Sequence, residues 1–132
     1  MKYLLLLGRV LFSAIFIASS MMHFTQADIQ YATENHVPYP EILVPLSGVI
    51  ALLGGLSVLF GYKARLGAWL LILFLVPVTY YMHAFWNFDV PGEIAMQQAM
   101  FMKNLSMIGT CLIIGYFGSG PLSVGGGCST CK

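Results

Sequence analysis

His23, His36, His83, Lys103, Arg9 and the Cys128/Cys131 pair are the side chains of this 132-residue sequence best suited to bind a ligand, move a proton or hold a metal. Cys128-Ser129-Thr130-Cys131 brings two sulfurs within reach of one soft metal ion, or lets them cycle between dithiol and disulfide. The glycines before it, Gly125 to Gly127, make a flexible leash and not the rigid helix start that lowers a thiol's pKa in thioredoxin-like proteins. No histidine follows the pair, which excludes a c-type haem attachment motif. If a metal binds there, a dimer could complete a four-sulfur set. No two histidines stand at i, i+4, so a metal site built from them has little support in the spacing. Cys111, in the middle of an apolar run, reads as a small core residue.

The elements that must position these groups are apolar. With 58% hydrophobic and 8% charged residues, the chain cannot cover a soluble domain with polar surface, but it suits a bundle solvated by lipid. Four runs, about residues 3–24, 42–61, 67–87 and 98–117, are each roughly 20 residues, enough at about 1.5 Å per residue to cross a hydrocarbon layer of about 30 Å. In lipid each span must satisfy its own backbone, and the alternation of a barrel strand is absent, so the fold class is an all-α, integral membrane four-helix bundle. Residues 118–132 form a short flexible tail carrying the CxxC. Arg9 interrupts the leucine run near the start, so residues 3–24 read as a retained first helix and not a cleaved signal.

Orientation follows from the basic residues. Lys2, Lys63, Arg65 and Lys132 lie at the termini and in the second loop, while Asp28, Glu34, Asp89 and Glu93 lie in the first and third. The positive-inside rule therefore puts both termini in the cytoplasm of a bacterial inner membrane and the two acidic loops outside. The first loop carries a helix start, Thr25 followed by Asp28, so Gln26 to Glu34 is expected to lie as a short interfacial helix. Asn35 should end it with a left-handed cap before Val37-Pro38. The second loop is a tight turn between antiparallel helices. Small residues on the second and fourth spans, among them Gly48, Gly54, Gly55, Ser106 and Gly109, suit close helix packing within the bundle or, alternatively, a homodimer face. Pro77 removes one backbone donor from the third span and should bend it.

In this frame the three histidines and Lys103 all fall toward the outer side, with His83 about one turn inside the end of the third span. Charge within a span is costly and usually faces the bundle interior, water or a partner. Lys103 therefore snorkels to headgroups, pairs with Glu41 or Glu93, or meets a substrate. Arg9, on the inner half, snorkels or pairs with a carbonyl or an anionic lipid. The segment Tyr80 to Asn87, including Trp86, reads as an interfacial aromatic belt or as the flank of a flat apolar pocket. Such a pocket would hold a quinone, with His83 or Lys103 hydrogen-bonding its carbonyl oxygens.

The order of these features resembles the DoxX family of small bacterial four-helix membrane proteins. Gly8-Arg9, the Phe16–Phe24 stretch, Val37-Pro38, Leu53-Gly54-Gly55-Leu56, Phe60 through Arg65 and His83 carry the resemblance, across about residues 4 to 117. Where many members have Gly followed by Lys near the end of helix one, this chain has Ser20 and His23. The resemblance implies a role beside a quinone-linked oxidoreductase, such as that which oxidises thiosulfate, or as a membrane anchor of a redox assembly, with Arg9, His23 and His83 as the residues to test. The cysteine tail has no counterpart in the family pattern. The expected function is a quinone-site subunit or anchor that needs a protein partner, with His23, His83, Lys103, Arg9, Trp86 and Tyr80 as ligand-binding residues and Cys128 and Cys131 as metal ligands. The alternative is a non-enzymatic assembly or chaperone module that binds another membrane protein. A homo-oligomer is compatible with either, and no nucleic-acid partner is expected.

Overall fold

A computed structural model of the chain describes residues 1–125. It contains α1 (Lys2–Met22), α2 (Gln26–Glu34), α3 (Pro40–Phe60), α4 (Ala64–Met82), a 3-10 turn (Phe85–Asn87) and α5 (Pro91–Phe117), with no strand among the described residues. Four of these, α1, α3, the stretch from α4 through the 3-10 turn, and α5, are long and apolar enough to cross a membrane. The chain is an all-helical membrane bundle. α1 packs on α3, α3 on α4 and α4 on α5, while no comparable backbone packing joins α1 to α5.

Glycines set the two tightest approaches. A Cβ at Gly54 would lie 3.1 Å from the Gly67 carbonyl, and one at Gly67 would lie 3.0 Å from the Gly54 carbonyl, so α3 and α4 meet backbone to backbone. Seven residues apart on α3, Gly48 and Gly55 face α1: a Cβ at Gly48 would stand 2.7 Å from His23 Cβ, and one at Gly55 would stand 3.3 Å from Phe16 Cβ. The small residues of α3 therefore serve packing inside the bundle. Gly109 on α5 has open space around it. Phe16, Ala51, Val58, Leu71, Phe74 and Cys111 belong to the buried core, and Phe16 meets Phe74 edge-on with ring centroids 6.3 Å apart.

Local rules account for the connections. Thr25 is the N-cap of α2, where its Oγ1 accepts from the Asp28 amide at 3.4 Å. The helix ends in a Schellman motif in which Val37 N–H donates to Ala32 O at 3.0 Å and His36 N–H to Thr33 O at 3.1 Å. The left-handed residue is His36, with φ of 59°, and not the expected Asn35, whose φ is −87°. Asn35 instead turns its amide back to donate to Tyr31 O at 2.8 Å, which holds it on the helical side of the cap. The turn between α3 and α4 is closed by Ser57 Oγ, donating to Tyr62 O at 2.6 Å.

Two helix ends differ from the apolar windows. α5 starts at Pro91 and not near Gln98, because proline suits the first helical position and Glu93 suits the positive end of the helix dipole. α4 ends sooner than the apolar run, and His83 is its C-cap, not a residue one turn inside it. The chain then folds into the 3-10 turn.

Candidate functional site

The end of the bundle that carries α2 gathers most of the chemistry. His23 caps α1 at its C-terminal end, His83 caps α4, and Lys103 and Asn104 lie on α5, one residue apart. All four line one cavity of about 150 Å³, with Phe16 and Phe74 among its apolar walls. This cavity sits where α1 and α5 fail to pack against each other. A second cavity of about 280 Å³, almost wholly apolar, lies between α3, α4 and the α2 connection, lined in part by Val44, Pro77 and Tyr81. His23, Phe74 and Val78 line both cavities. The His23 and Phe74 rings, 5.4 Å between centroids, thus belong to a wall shared by the two spaces.

Each of the two histidines at the cavity is held by one ring nitrogen. His23 Nδ1 lies 2.9 Å from the Ser19 carbonyl oxygen and 4.0 Å from Asp28 Oδ2. Both of these groups only accept, so the neutral ring carries its proton on Nδ1. Gly48 leaves the room against α3 that lets His23 sit there. His83 Nδ1 lies 2.8 Å from Gln97 Oε1, and Gln97 Nε2 donates to Tyr31 Oη at 3.1 Å. The chain Tyr31–Gln97–His83 therefore joins α2, α5 and α4. Gln97 is only 6% exposed, so its amide must be satisfied by such partners.

Lys103 is exposed along α5, and its Nζ approaches Met100 Sδ at 3.4 Å. No ion pair of Lys103 with Glu41 or Glu93 forms; among the described residues His23 approaches Asp28 instead. Asn104 brings a side chain only 3% exposed to the cavity wall. Tyr80 and Trp86 turn away from the cavities. They are 62% and 53% exposed, and they cluster with each other and with Phe101. They suit an interfacial belt better than a pocket wall. His36 is exposed in the α2–α3 connection, apart from both cavities.

Arg9 lies at the opposite end. It is 7% exposed, and its Nη1 and Nη2 donate to the carbonyls of Ser119 at 2.9 Å and Leu122 at 2.6 Å, while Nε has no partner. Val124 N–H donates to Phe60 O at 2.9 Å, and Gly61, with φ of 67°, leaves space for the guanidinium that a Cβ would take. The carbonyl partner of Arg9 thus comes from the segment after α5, and Arg9 is not brought to the histidines. Cys128 and Cys131 lie outside the described residues. No cluster of three or more metal-ligating side chains occurs among the residues described.

Sequence reasoning missed Gln97, Asn104 and Tyr31. An asparagine beside Lys103 within an apolar run is itself a signal, since a buried amide demands a partner; nothing local marks Tyr31, whose role depends on α2 folding over α5. The family model DoxX matches residues 4–84, which span α1 to the end of α4 and leave α5 outside the match. No solved structure matches the chain.

Proposed function

The chain belongs to the DoxX family, and from that membership we propose that this multi-pass membrane protein is the ring-binding subunit, or membrane anchor, of a quinone-linked redox assembly. The observation that carries this reading is the convergence of His23, His83, Lys103 and Asn104 on one cavity of about 150 Å³. A dry cavity of about 150 Å³ accepts a single benzene ring in other proteins, so its size suits one aromatic head group. Apolar walls with a few convergent polar groups are the usual make-up of a small-molecule site. Phe16 and Phe74 offer ring faces, Lys103 and Asn104 offer donors to oxygen, and the histidines can exchange protons. The larger apolar cavity behind the His23–Phe74 wall offers hydrocarbon surface beside the head group.

A quinone takes up two electrons and two protons as it becomes a quinol. This chain's residues bind and orient the ring and move the protons; a partner protein carries the electrons. The positive-inside pattern supports placing the α2 end on the outer face of the inner membrane, with both termini in the cytoplasm. The alternative of an assembly module is favoured by one observation: α5 buries 11% of its apolar window, against 33% for α3 and for the α4 stretch, leaving a broad face for another membrane protein.

The test is the quinone content of protein purified in mild detergent. Wild type is expected to retain quinone, and His83→Ala and Lys103→Met to lose most of it. Unchanged occupancy in both variants would sink the reading.

A further inference from the structure

The backbones of α3 and α4 meet at Gly54 and Gly67, toward the turn that joins them. Toward the α2 end the same two helices part around the cavity of about 280 Å³, whose walls include Val44 and Ser47 of α3 and Phe74 and Pro77 of α4. Pro45 in α3 and Pro77 in α4 both stand on this side of the glycine contact, and each removes a backbone donor, which is where helices bend. α2 adds Asp28 and Ala32 to the wall. The space is thus a slot between two spanning helices, with an acidic helix at its end. A slot left empty forfeits the dispersion contacts of its lining. Water finds few partners there, since it needs two to four polar groups and the Ser47 hydroxyl is already spent on Val44 O at 2.7 Å. A hydrocarbon chain meets both conditions. A dry cavity of about 150 Å³ takes a six-carbon ring, so on that scale this slot takes about eleven carbons.

We propose that this slot is a lipid site: it holds the acyl chain of an aminophospholipid from the surrounding bilayer, with the lipid's ammonium group donating to the Asp28 carboxylate. The proposal stands apart from the ring-binding reading and gives the larger cavity an occupant of its own. Lipid tails are as apolar as the helices around them, so burying the chain does not discriminate one lipid from another, and the head group must. Between Arg9 and Lys63 the sequence carries Asp28, Glu34 and Glu41 and no Lys or Arg, so the charge around the slot suits a cation and opposes an anionic head. Asp28 is the acid on the slot wall. A carboxylate only accepts, and the basic group nearest to it among the described residues, His23 Nδ1, is 4.0 Å away, beyond hydrogen-bond reach. An N–H-bearing ammonium supplies the missing donor, whereas a quaternary ammonium has no N–H to give. The Asp28 side chain is 32% exposed, which places the preference between that of a screened surface pair and that of a sheltered charged hydrogen bond, at about threefold to tenfold. His23 and Phe74 also belong to the wall of the smaller cavity, so a chain in the slot supports that wall from behind.

Native mass spectrometry of the full chain, released from lipid nanodiscs, tests this. The discs contain equal parts of dioleoyl phosphatidylethanolamine, phosphatidylcholine and phosphatidylglycerol, so only the head groups differ. Wild type is expected to retain the ethanolamine lipid about threefold to tenfold over the other two. Asp28→Asn should still retain lipid but lose the preference. Ser47→Phe, which fills the slot, should retain less lipid of every kind, with helix content and monodisperse elution showing that each variant is folded. The wild-type competition and Asp28→Asn decide the matter even if Ser47→Phe does not fold. Equal retention of the three lipids by wild type, or a preference unchanged in Asp28→Asn, would overturn the proposal. So would undiminished retention in folded Ser47→Phe, which would place the lipid elsewhere on the bundle. A prenylated benzoquinone added in equal amount should leave the ethanolamine lipid in place, and its displacement would assign the slot to the quinone's tail instead.

Discussion

Gly48 is the residue through which stability and the cavity are joined, and its substitution by alanine has a sign that can be worked out in advance. A Cβ at this position would sit 2.7 Å from His23 Cβ and 3.1 Å from the Ser20 carbonyl. Neither obstacle is the loose end of a long side chain, so relief requires α1 and α3 to separate. Overpacking of this kind costs about 1–3 kcal/mol. Against that, alanine in place of a helical glycine gains about 0.5–1 kcal/mol. Gly8→Ala provides the reference, because Gly8 lies within α1 and has no heavy atom near its would-be Cβ. The propensity gain is common to both variants and cancels, so Gly48→Ala should be less stable than Gly8→Ala by the overpacking cost, about 1–3 kcal/mol. Reversible unfolding in mixed micelles with increasing anionic detergent, followed by helix content, measures this difference. The same variant should weaken ring binding by displacing His23 from the shared wall. Gly48→Ala as stable as Gly8→Ala would refute the close α1–α3 approach and, with it, the placement of His23.

Other residues give further tests. Arg9→Met should destabilise the bundle by about 1.5–3 kcal/mol, since hydrogen bonds from a charged donor to Ser119 O and Leu122 O are lost; faster protease cleavage within residues 118–125 would accompany it, and an unchanged cleavage rate would argue against the clamp. Gly67→Ala should disturb the α3–α4 hairpin more than Gly109→Ala disturbs α5, because a Cβ at Gly67 meets Ser57 within 2.6 Å while Gly109 is open; helical unfolding midpoints compare the two. Gln97→Leu should loosen α2 by releasing Tyr31, seen as faster amide exchange across residues 26–34 while α3 keeps its protection. For the tail, we propose that Cys128 and Cys131 hold a soft metal: elemental analysis of reduced protein should find stoichiometric metal that is absent from the double Cys→Ser variant, and metal-free wild type would end that idea.

What the sequence disclosed depended on how local each cause is. Thr25 and Asp28 stand three residues apart, so the start of α2 follows from a side chain reaching the nearest free amides, and it could be placed before any tertiary contact was known. Apolar run length disclosed four spans for the same reason. The helix of α5 starts ahead of its apolar run, because a helix begins where proline and a carboxylate favour it, not where lipid does. The cap of α2 fell on His36 and not Asn35, since the asparagine amide found a better partner in Tyr31 O. Arg9 and Ser119 are 110 residues apart in sequence, and only packing of the chain end against Gly61 could reveal their contact. The polar layer itself was legible as His23, His83 and Lys103, because charge in an apolar run is conspicuous. Its completion by Gln97, Asn104 and Tyr31 was not, since amides and phenols draw attention only when their partners are known.

The central claim is that a flat aromatic ligand occupies the cavity bounded by α1, α4 and α5. A light-activated azidoquinone, reduced or oxidised, incorporated with the protein in lipid vesicles and mapped by peptide mass spectrometry, tests it most directly. Covalent label is expected on peptides containing residues 15–23 and 103–107, reduced by excess unlabelled quinol and by His83→Ala. Label confined to the lipid-facing surface of α5, or spread evenly over all spans and indifferent to competitor, would contradict the account.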